Sequence, residues 1–219
     1  MQKLFIDFEP DGQVTLNEEQ SRHIAKSLRM RKGDMLTLTS GNGNDYGCII
    51  ENTNGGLVTL SVCYKQANNS EPSVKVTLYQ GVPKSSKLED VIQKCTELGI
   101  SAICPTLTNR SVSRPDEKSA KKKKQRYEKI ALEAAQQSGR GIVPEIMDMT
   151  SLEKAVKNDD SELKILFYEG GGESLKSMIN QDIKSVSIYI GPEGGFEEKE
   201  VELIKASGGK IASLQSILH

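Results

Sequence analysis

The sequence predicts an α/β protein in two parts: a small β-barrel over residues 1–68, then a parallel sheet with helices on both faces over 73–219. Three observations lead there. Short alternating apolar runs separated by Asn/Gly clusters fill the first seventy residues, the pattern of hairpins. From Val74 onward, four apolar runs alternate with helical patterns, as strands covered on both faces do. Between the two lies KQANNSEPS, residues 65–73, polar and proline-bearing, which reads as the linker.

The strands of the first part are KLFIDF, MLTLT from Met35, YGCII from Tyr46 and LVTLSVCY from Leu57. One helix interrupts them within 17–34. Asn17 with Gln20 three residues on forms a capping-box pair, and Ile24 and Leu28 supply the helical spacing. This segment carries Arg22, His23, Lys26 and Arg29, with Arg31 and Lys32 beyond, a small basic patch.

In the second part the strands are VKVTLYQG (74–81), SAICPTL (101–107), LKILFY (163–168) and SVSIYIG (185–191). Ser86 with Glu89 predicts a capped helix whose apolar face is Leu88, Val91, Ile92, Cys95 and Leu98, and Gly99 ends it. A longer helix is expected over 119–138, with a lysine cluster at its entry. Thr150 with Glu153 predicts a short third, and Phe196, Val201 and Ile204 mark the last.

Composition bounds the function. The chain has 219 residues, 36% hydrophobic and 27% charged, an ordinary globular balance. No apolar stretch approaches the ~20 residues of a membrane span, and MQKLFIDFEP has no signal-peptide character, so the cytoplasm is the expected compartment and no membrane partner is expected. Cys48, Cys63, Cys95 and Cys104 lack CxxC spacing and the histidines are only His23 and His219, so reduced thiols and no metal are expected. Net charge is −1, yet Arg110 to Arg140 holds ten basic residues against four acidic ones, +6, leaving −7 for the remainder. Such a basic segment is either a solvated helix face or a surface for a polyanion.

Two strands of the second part end in glycine clusters, Glu169-Gly170-Gly171-Gly172 and Gly191-Pro192-Glu193-Gly194-Gly195. At the carboxyl ends of neighbouring buried strands they would build one crevice, although either cluster alone reads more readily as a tight turn. Neither G-x-G-x-x-G nor a P-loop is present, and G-x-S-x-G and H-E-x-x-H are absent, so a reaction carried by a bound cofactor fits best.

Five separated segments then carry a resemblance. GVPKSSKLEDVIQKCTELGI (81–100), PTLTNRSV (105–112), EAAQQSGR followed by Val143 and Pro144, IGPEGGF, and the N-terminal HIAKSLRMRKGD resemble, in order and spacing, the RsmE family. These are bacterial 16S ribosomal RNA uridine-N3 methyltransferases of the SPOUT, or α/β-knot, superfamily with a PUA-like RNA-binding domain. The resemblance covers nearly the whole chain. It implies an S-adenosylmethionine-dependent enzyme, a trefoil knot in the second part, a homodimer, and 16S rRNA in the small ribosomal subunit as partner.

What the resemblance implies for the site is specific. Tyr168, Glu169 and Gly170 from one loop, Ile190, Gly191, Pro192, Glu193 and Gly194 from the other, and Leu214 would border the cofactor. Methylation at N3 requires loss of a proton and stabilisation of charge on the ring oxygens, for which a guanidinium is suited; Arg110 is the first candidate and Arg140 the second. A phosphate contact or a salt bridge is the alternative for each. Glu97 reads as a structural partner for an arginine. Lys121, Lys122, Lys123 and Lys124 become phosphate contacts, extended by Arg22, Arg29, Arg31 and Lys84.

The ending departs from the family. Ser213 and Leu214 are followed by Gln215 where the family has glycine, and its following Arg-Ile-Leu-Arg-Thr-Glu-Thr-Ala helix has no counterpart in KIASLQSILH. A second reading follows: an RNA-binding or ribosome-associated module with the same fold and impaired cofactor binding.

Overall fold

The structure is a computed structural model that describes residues 2–53, 56–179 and 182–213. It divides into two compact units, Met1–Glu71 with Ala135–Val143, and Pro72–Ala134 with Pro144–His219.

The first unit holds β1 (Lys3–Phe5), β2 (Gln13–Thr15), α1 (Glu18–Arg22), β3 (Met35–Thr39), β4 (Asn44–Asn52) and β5 (Thr59–Ala67), a five-stranded sheet ordered β1-β3-β4-β5-β2. Alternation puts Leu36, Leu38, Cys48, Ile50 and Leu60 on one face, where they close a core with Leu16 and Ile24. Asn17 caps α1 as expected: its side chain accepts the amide of Gln20, and the Gln20 side chain accepts that of Asn17. The helix is shorter than expected. It passes into a π-helical turn over His23–Ser27 and stops, and Arg29 takes a left-handed φ of 54°. β5 runs through Ala67, so the first residues of the expected linker are strand.

Buried charge ties residues 135–143 into this unit. Lys3, its side chain 7% exposed, pairs with Asp45 at 2.8 Å and donates to the carbonyls of Gly139 and Arg140. Glu71 pairs with Arg140 and accepts the amides of Gly141 and Ile142. Burial works against ionisation of Glu71, but Arg140 and those amides outweigh it and hold its pKa below the ordinary value.

The second unit holds β6 (Lys75–Gly81), α2 (Lys87–Glu97), β7 (Ala102–Leu107), α3 (Glu117–Ser138, its last residues in the first unit), β8 (Glu145–Ile146), β9 (Thr150–Ser151), α4 (Leu152–Asn158), β10 (Leu163–Phe167), α5 (Leu175–Met178), β11 (Ser185–Ile190), α6 (Glu198–Ala206) and β12 (Lys210–Ala212). The sheet order is β12-β10-β11-β6-β7-β8, with β9 on β7, and every pairing is parallel. Alternate residues serve opposite faces. Tyr79, Cys104, Leu166 and Tyr189 pack against α4 and α6, while Leu163, Ile165 and Val186 pack against α5. Each fully buried side chain of this kind contributes roughly 1.5–3 kcal/mol by leaving water. On the first face Tyr79 stacks on Tyr189 with centroids 4.7 Å apart, and the Tyr189 hydroxyl donates to buried Asp159 at 2.7 Å.

Two caps differ from expectation. Ser86 stands at the N-cap of α2 without a side-chain cap bond, because its backbone is not extended (ψ 5°), and Glu89 pairs with Arg126 instead. For α4 the cap is Ser151, whose hydroxyl accepts the amide of Lys154; Thr150 lies in β9. The expected trefoil knot falls on the end of the chain, where residues 214–219 lie outside the described residues. Among the described residues no helix is long and apolar enough to cross a membrane.

The Lys3–Asp45 pair sets a test of the first unit. Asp45→Ala should lower stability by about 3 kcal/mol, since the buried ammonium keeps only carbonyl acceptors; urea unfolding followed by circular dichroism measures it.

Candidate functional site

The carboxyl ends of β10, β11, β6 and β7 lie side by side in the sheet, and the loop that leaves β11 is bonded to those that leave β6 and β7. The loop after β11 is the centre. Gly191 to Phe196 folds back over the end of β6, where the Gln80 amide donates to the carbonyls of Gly191 (3.2 Å) and Gly81 (3.0 Å). A Cβ at Gly81 would stand 2.5 Å from Pro192 Cδ and 2.6 Å from its nitrogen, so no larger residue fits without moving the loop. The Gly195 amide closes a turn onto the Pro192 carbonyl at 2.8 Å, with Gly195 at φ 68°.

Glu193 reaches from this loop to the start of α2. Its carboxylate accepts the Lys84 amide at 3.2 Å and pairs with Lys87 at 3.2 Å. Its own backbone amide, that of Lys84, and Lys87 together hold the Glu193 pKa below the usual carboxylate value.

The loop after β7 approaches from the other side. The Asn109 amide donates to Glu200 at 2.8 Å and the Asn109 side chain to Glu197 at 2.9 Å. Next along the chain, Arg110 lies across Gly194 and donates from Nη1 to its carbonyl at 2.6 Å. The third loop, after β10, is fixed through the Tyr168 amide to the Ala212 carbonyl (3.2 Å) and the Glu173 amide to that of Ile211 (2.9 Å).

A cavity of about 150 Å³ opens between the loops, lined by Phe167, Tyr168, Glu169, Ile190, Gly191, Pro192, Glu193, Gly195 and Phe196. Tyr168, Glu169, Ile190, Gly191, Pro192 and Glu193 were expected from the sequence; Phe167, Gly195 and Phe196 were not. The last two sit inside the same GPEGGF motif, and Phe167 ends the strand before the other loop, so continuity with the motifs was the available signal. Gly170 lines instead a neighbouring cavity of about 560 Å³ with Gly171, Gly172, Lys205 and Lys210. Gly194 contributes its carbonyl to Arg110, and Leu214 lies outside the described residues.

The two arginines are not alike. Arg110 is exposed at the glycine loop, whereas Arg140 belongs to the first unit, is 4% exposed and is paired with Glu71. Its place in that buried pair gives it a structural task. Glu97 accepts from Gln93 and Lys94, not from an arginine. Burial pushes the Cys48 and Cys104 thiols up to about 11, so both stay protonated at neutral pH.

The basic residues fall in both units. Arg22, Arg29 and Arg31 are exposed in the first, and Lys84 is exposed beside Glu193 in the second. Lys121 to Lys124 do not share a face, because consecutive helical residues are about 100° apart. Lys124 pairs with Asp148 at 2.7 Å, Lys121 with Glu117 at 3.0 Å, and Lys123 donates to Ser113 at 3.4 Å.

Comparison with known proteins follows the same division. A family model described as an RNA methyltransferase domain matches residues 69–219, and one described as an RNA methyltransferase PUA domain matches 16–63. The ribosomal RNA small subunit methyltransferase E of Bacillus subtilis (strain 168) is 34% identical over 98% of this chain and 89% of its own length. That of Synechocystis sp. is 28% identical over 93% of this chain and 67% of its own. Among solved structures, a Legionella pneumophila protein described as a methyltransferase in complex with the bound cofactor SAM has a TM-score of 0.88 at 28% identity, covering 97% of this chain and 88% of that one. The Neisseria gonorrhoeae methyltransferase E bound to S-adenosyl methionine shares the fold, with a TM-score of 0.90 at 23% identity over 99% and 90%. The methyltransferase model spans the unusual terminal segment as well, which favours the enzyme over the binding module.

The packing of Gly81 under Pro192 is open to direct test. Gly81→Ala should lower stability by roughly 1–3 kcal/mol through overpacking, read as a shifted urea midpoint with an unchanged slope.

Proposed function

The chain belongs to the RNA methyltransferase family, and from that membership we propose that it methylates N3 of a uridine in 16S rRNA of the small ribosomal subunit, with S-adenosylmethionine as donor. It acts in the cytoplasm as a homodimer with an RNA-binding PUA-like domain over 1–68 and the methyltransferase domain over 73–219. The observation that carries this reading is the meeting of two glycine-rich loops around one cavity, with the Arg110 guanidinium of a third loop bonded to the carbonyl of Gly194 in one of them.

The lining suits the cofactor. Phe167, Ile190, Pro192 and Phe196 offer apolar surface for an aromatic base, the glycines bring bare backbone to the ligand, and Glu169 supplies a carboxylate for hydroxyl or cationic groups. Tyr168 and Glu193 complete that wall, with Gly170 and Gly194 beside it; Leu214, outside the described residues, is the remaining contact the reading assigns to the cofactor. When bound, S-adenosylmethionine supplies an electrophilic methyl group. The chain's own residues supply position and charge. N3 of uridine loses its proton to water, and the negative charge spreads to the flanking ring oxygens until N3 takes the methyl group and the base is neutral again. Arg110, fixed at the loop yet exposed, is a preorganised donor for one of them. Leu98 and Val112, 83% and 70% exposed, are apolar surface available to a second copy.

RNA is held by Arg22, Arg29 and Arg31 in the first unit and by Lys84, Lys121, Lys122, Lys123 and Lys124 in the second. Since Lys121 and Lys124 are already ion-paired, they contribute less than their number suggests.

Calorimetry with S-adenosylmethionine and methyl transfer to small-subunit particles test the reading, and absence of both for the wild-type chain would overturn it. Arg110→Ala should reduce kcat by about 10²–10³-fold while leaving cofactor affinity within about twofold. Replacing Lys121 to Lys124 with alanine should make the dependence of log affinity for RNA on log salt shallower by about 1–2 units. An unchanged slope would mark the lysines as a solvated face only.

A further inference from the structure

Glu200 is 4% exposed and grips two loops with one carboxylate. One oxygen accepts the amide of Glu197 at 2.8 Å, and the other accepts the amide of Asn109 at 2.8 Å. The first bond belongs to the capping box of α6, in which Glu197 is N-cap and Glu200 is N3. A capping box needs one acceptor oxygen at N3, and a glutamine would serve. The second oxygen is surplus to the helix, and it goes to the residue before Arg110. Glu197 reinforces the grip by accepting from the Asn109 side chain at 2.9 Å.

The consequence falls on Arg110. Its base is held by the Asn109–Glu200 bond and its tip by the Gly194 carbonyl at 2.6 Å. We propose that Glu200 is a positioning residue, whose second carboxylate oxygen fixes the Arg110 loop against the glycine loop so that the guanidinium is preorganised on the Gly194 carbonyl, within the loop that lines the cavity. The proposal rests on the methyltransferase reading with Arg110 as its charge-stabilising group. Misplacement of such a group by about 1 Å can cost 10²-fold in rate.

Glu200→Gln separates the two tasks, because the amide oxygen can keep the cap while the NH₂ group faces a donor and cannot accept. Methyl transfer to small-subunit particles, S-adenosylmethionine calorimetry and thermal unfolding are measured for this variant in the wild-type and Arg110→Ala backgrounds. Expected is a kcat loss of about tenfold or more in the wild-type background, cofactor affinity within about twofold, and almost no further kcat loss once Arg110 is gone. Equal losses in both backgrounds, or a parallel fall in cofactor affinity, would overturn the proposal while leaving the enzyme reading intact. Should Glu200→Gln fail to fold, Glu200→Asp, which keeps the charge but shortens the reach to the Asn109 amide, must show the same Arg110-dependent loss, and its absence overturns the proposal. A wild-type chain without cofactor binding or methyl transfer sinks the underlying reading instead. In that case side-chain NMR decides the positioning: Arg110 guanidinium rotation restricted in wild type and freed in the Gln variant supports it, and no difference overturns it.

Discussion

The space between Gly81 and Pro192 governs the arrangement of the site. Strand β6 has β11 on one side and β7 on the other, and the loop leaving β11 crosses directly over its end. That path exists only because position 81 has no side chain. Once the loop lies there, Gln80 reaches the Gly191 carbonyl, Glu193 reaches the amide of Lys84, and Gly194 presents its carbonyl to Arg110. A glycine-rich loop loses more conformational entropy on ordering than other sequences do. Its fixation here therefore comes from bonds to three neighbouring segments rather than from its own residues.

Both units use the same device at their critical junctions: a carboxylate that accepts backbone amides. Glu71 takes those of Gly141 and Ile142, Glu193 that of Lys84, Glu200 those of Asn109 and Glu197, and Asp159 that of Ser161. Charge-assisted bonds of this kind are roughly twice as strong as neutral ones, and they fix backbone directly. For Glu71 and Glu193 the folded pKa is lowered, so their contribution is present above the ordinary carboxylate pKa and is lost as pH falls through the folded value. Loop order and ionisation are thereby linked at both places.

The fold was legible where its signals are local. Asn17 and Gln20 stand three apart and form the cap their spacing predicts, and the four buried runs of the second part became β6, β7, β10 and β11. The two glycine loops, and the family their motifs resembled, were legible for the same reason. What escaped was decided by distant partners. The Ser86 cap fails through its backbone angle while Glu89 turns to Arg126, thirty-seven positions away. β2, β8, β9 and β12 span only two or three residues each, too few for alternation to register, and they exist because a neighbouring strand pairs with them. The Asn109–Glu200 bond joins residues ninety-one apart and no spacing rule reaches it.

Arg110 and Arg140 show most sharply what the sequence leaves open. Each closes a short polar motif, and each is a guanidinium with the same intrinsic charge. Arg140 lies against the Glu71 carboxylate in a buried pair, so its field is largely cancelled where it arises. Arg110 makes no ion pair among the described residues and donates to a neutral carbonyl, which orients the group and leaves its charge uncompensated. A group that must stabilise a developing anion needs that combination, fixed in place beforehand yet electrically unspent. The proposed division of labour thus follows from the partner each arginine found: a carboxylate makes one a rivet, and a backbone carbonyl leaves the other available for chemistry.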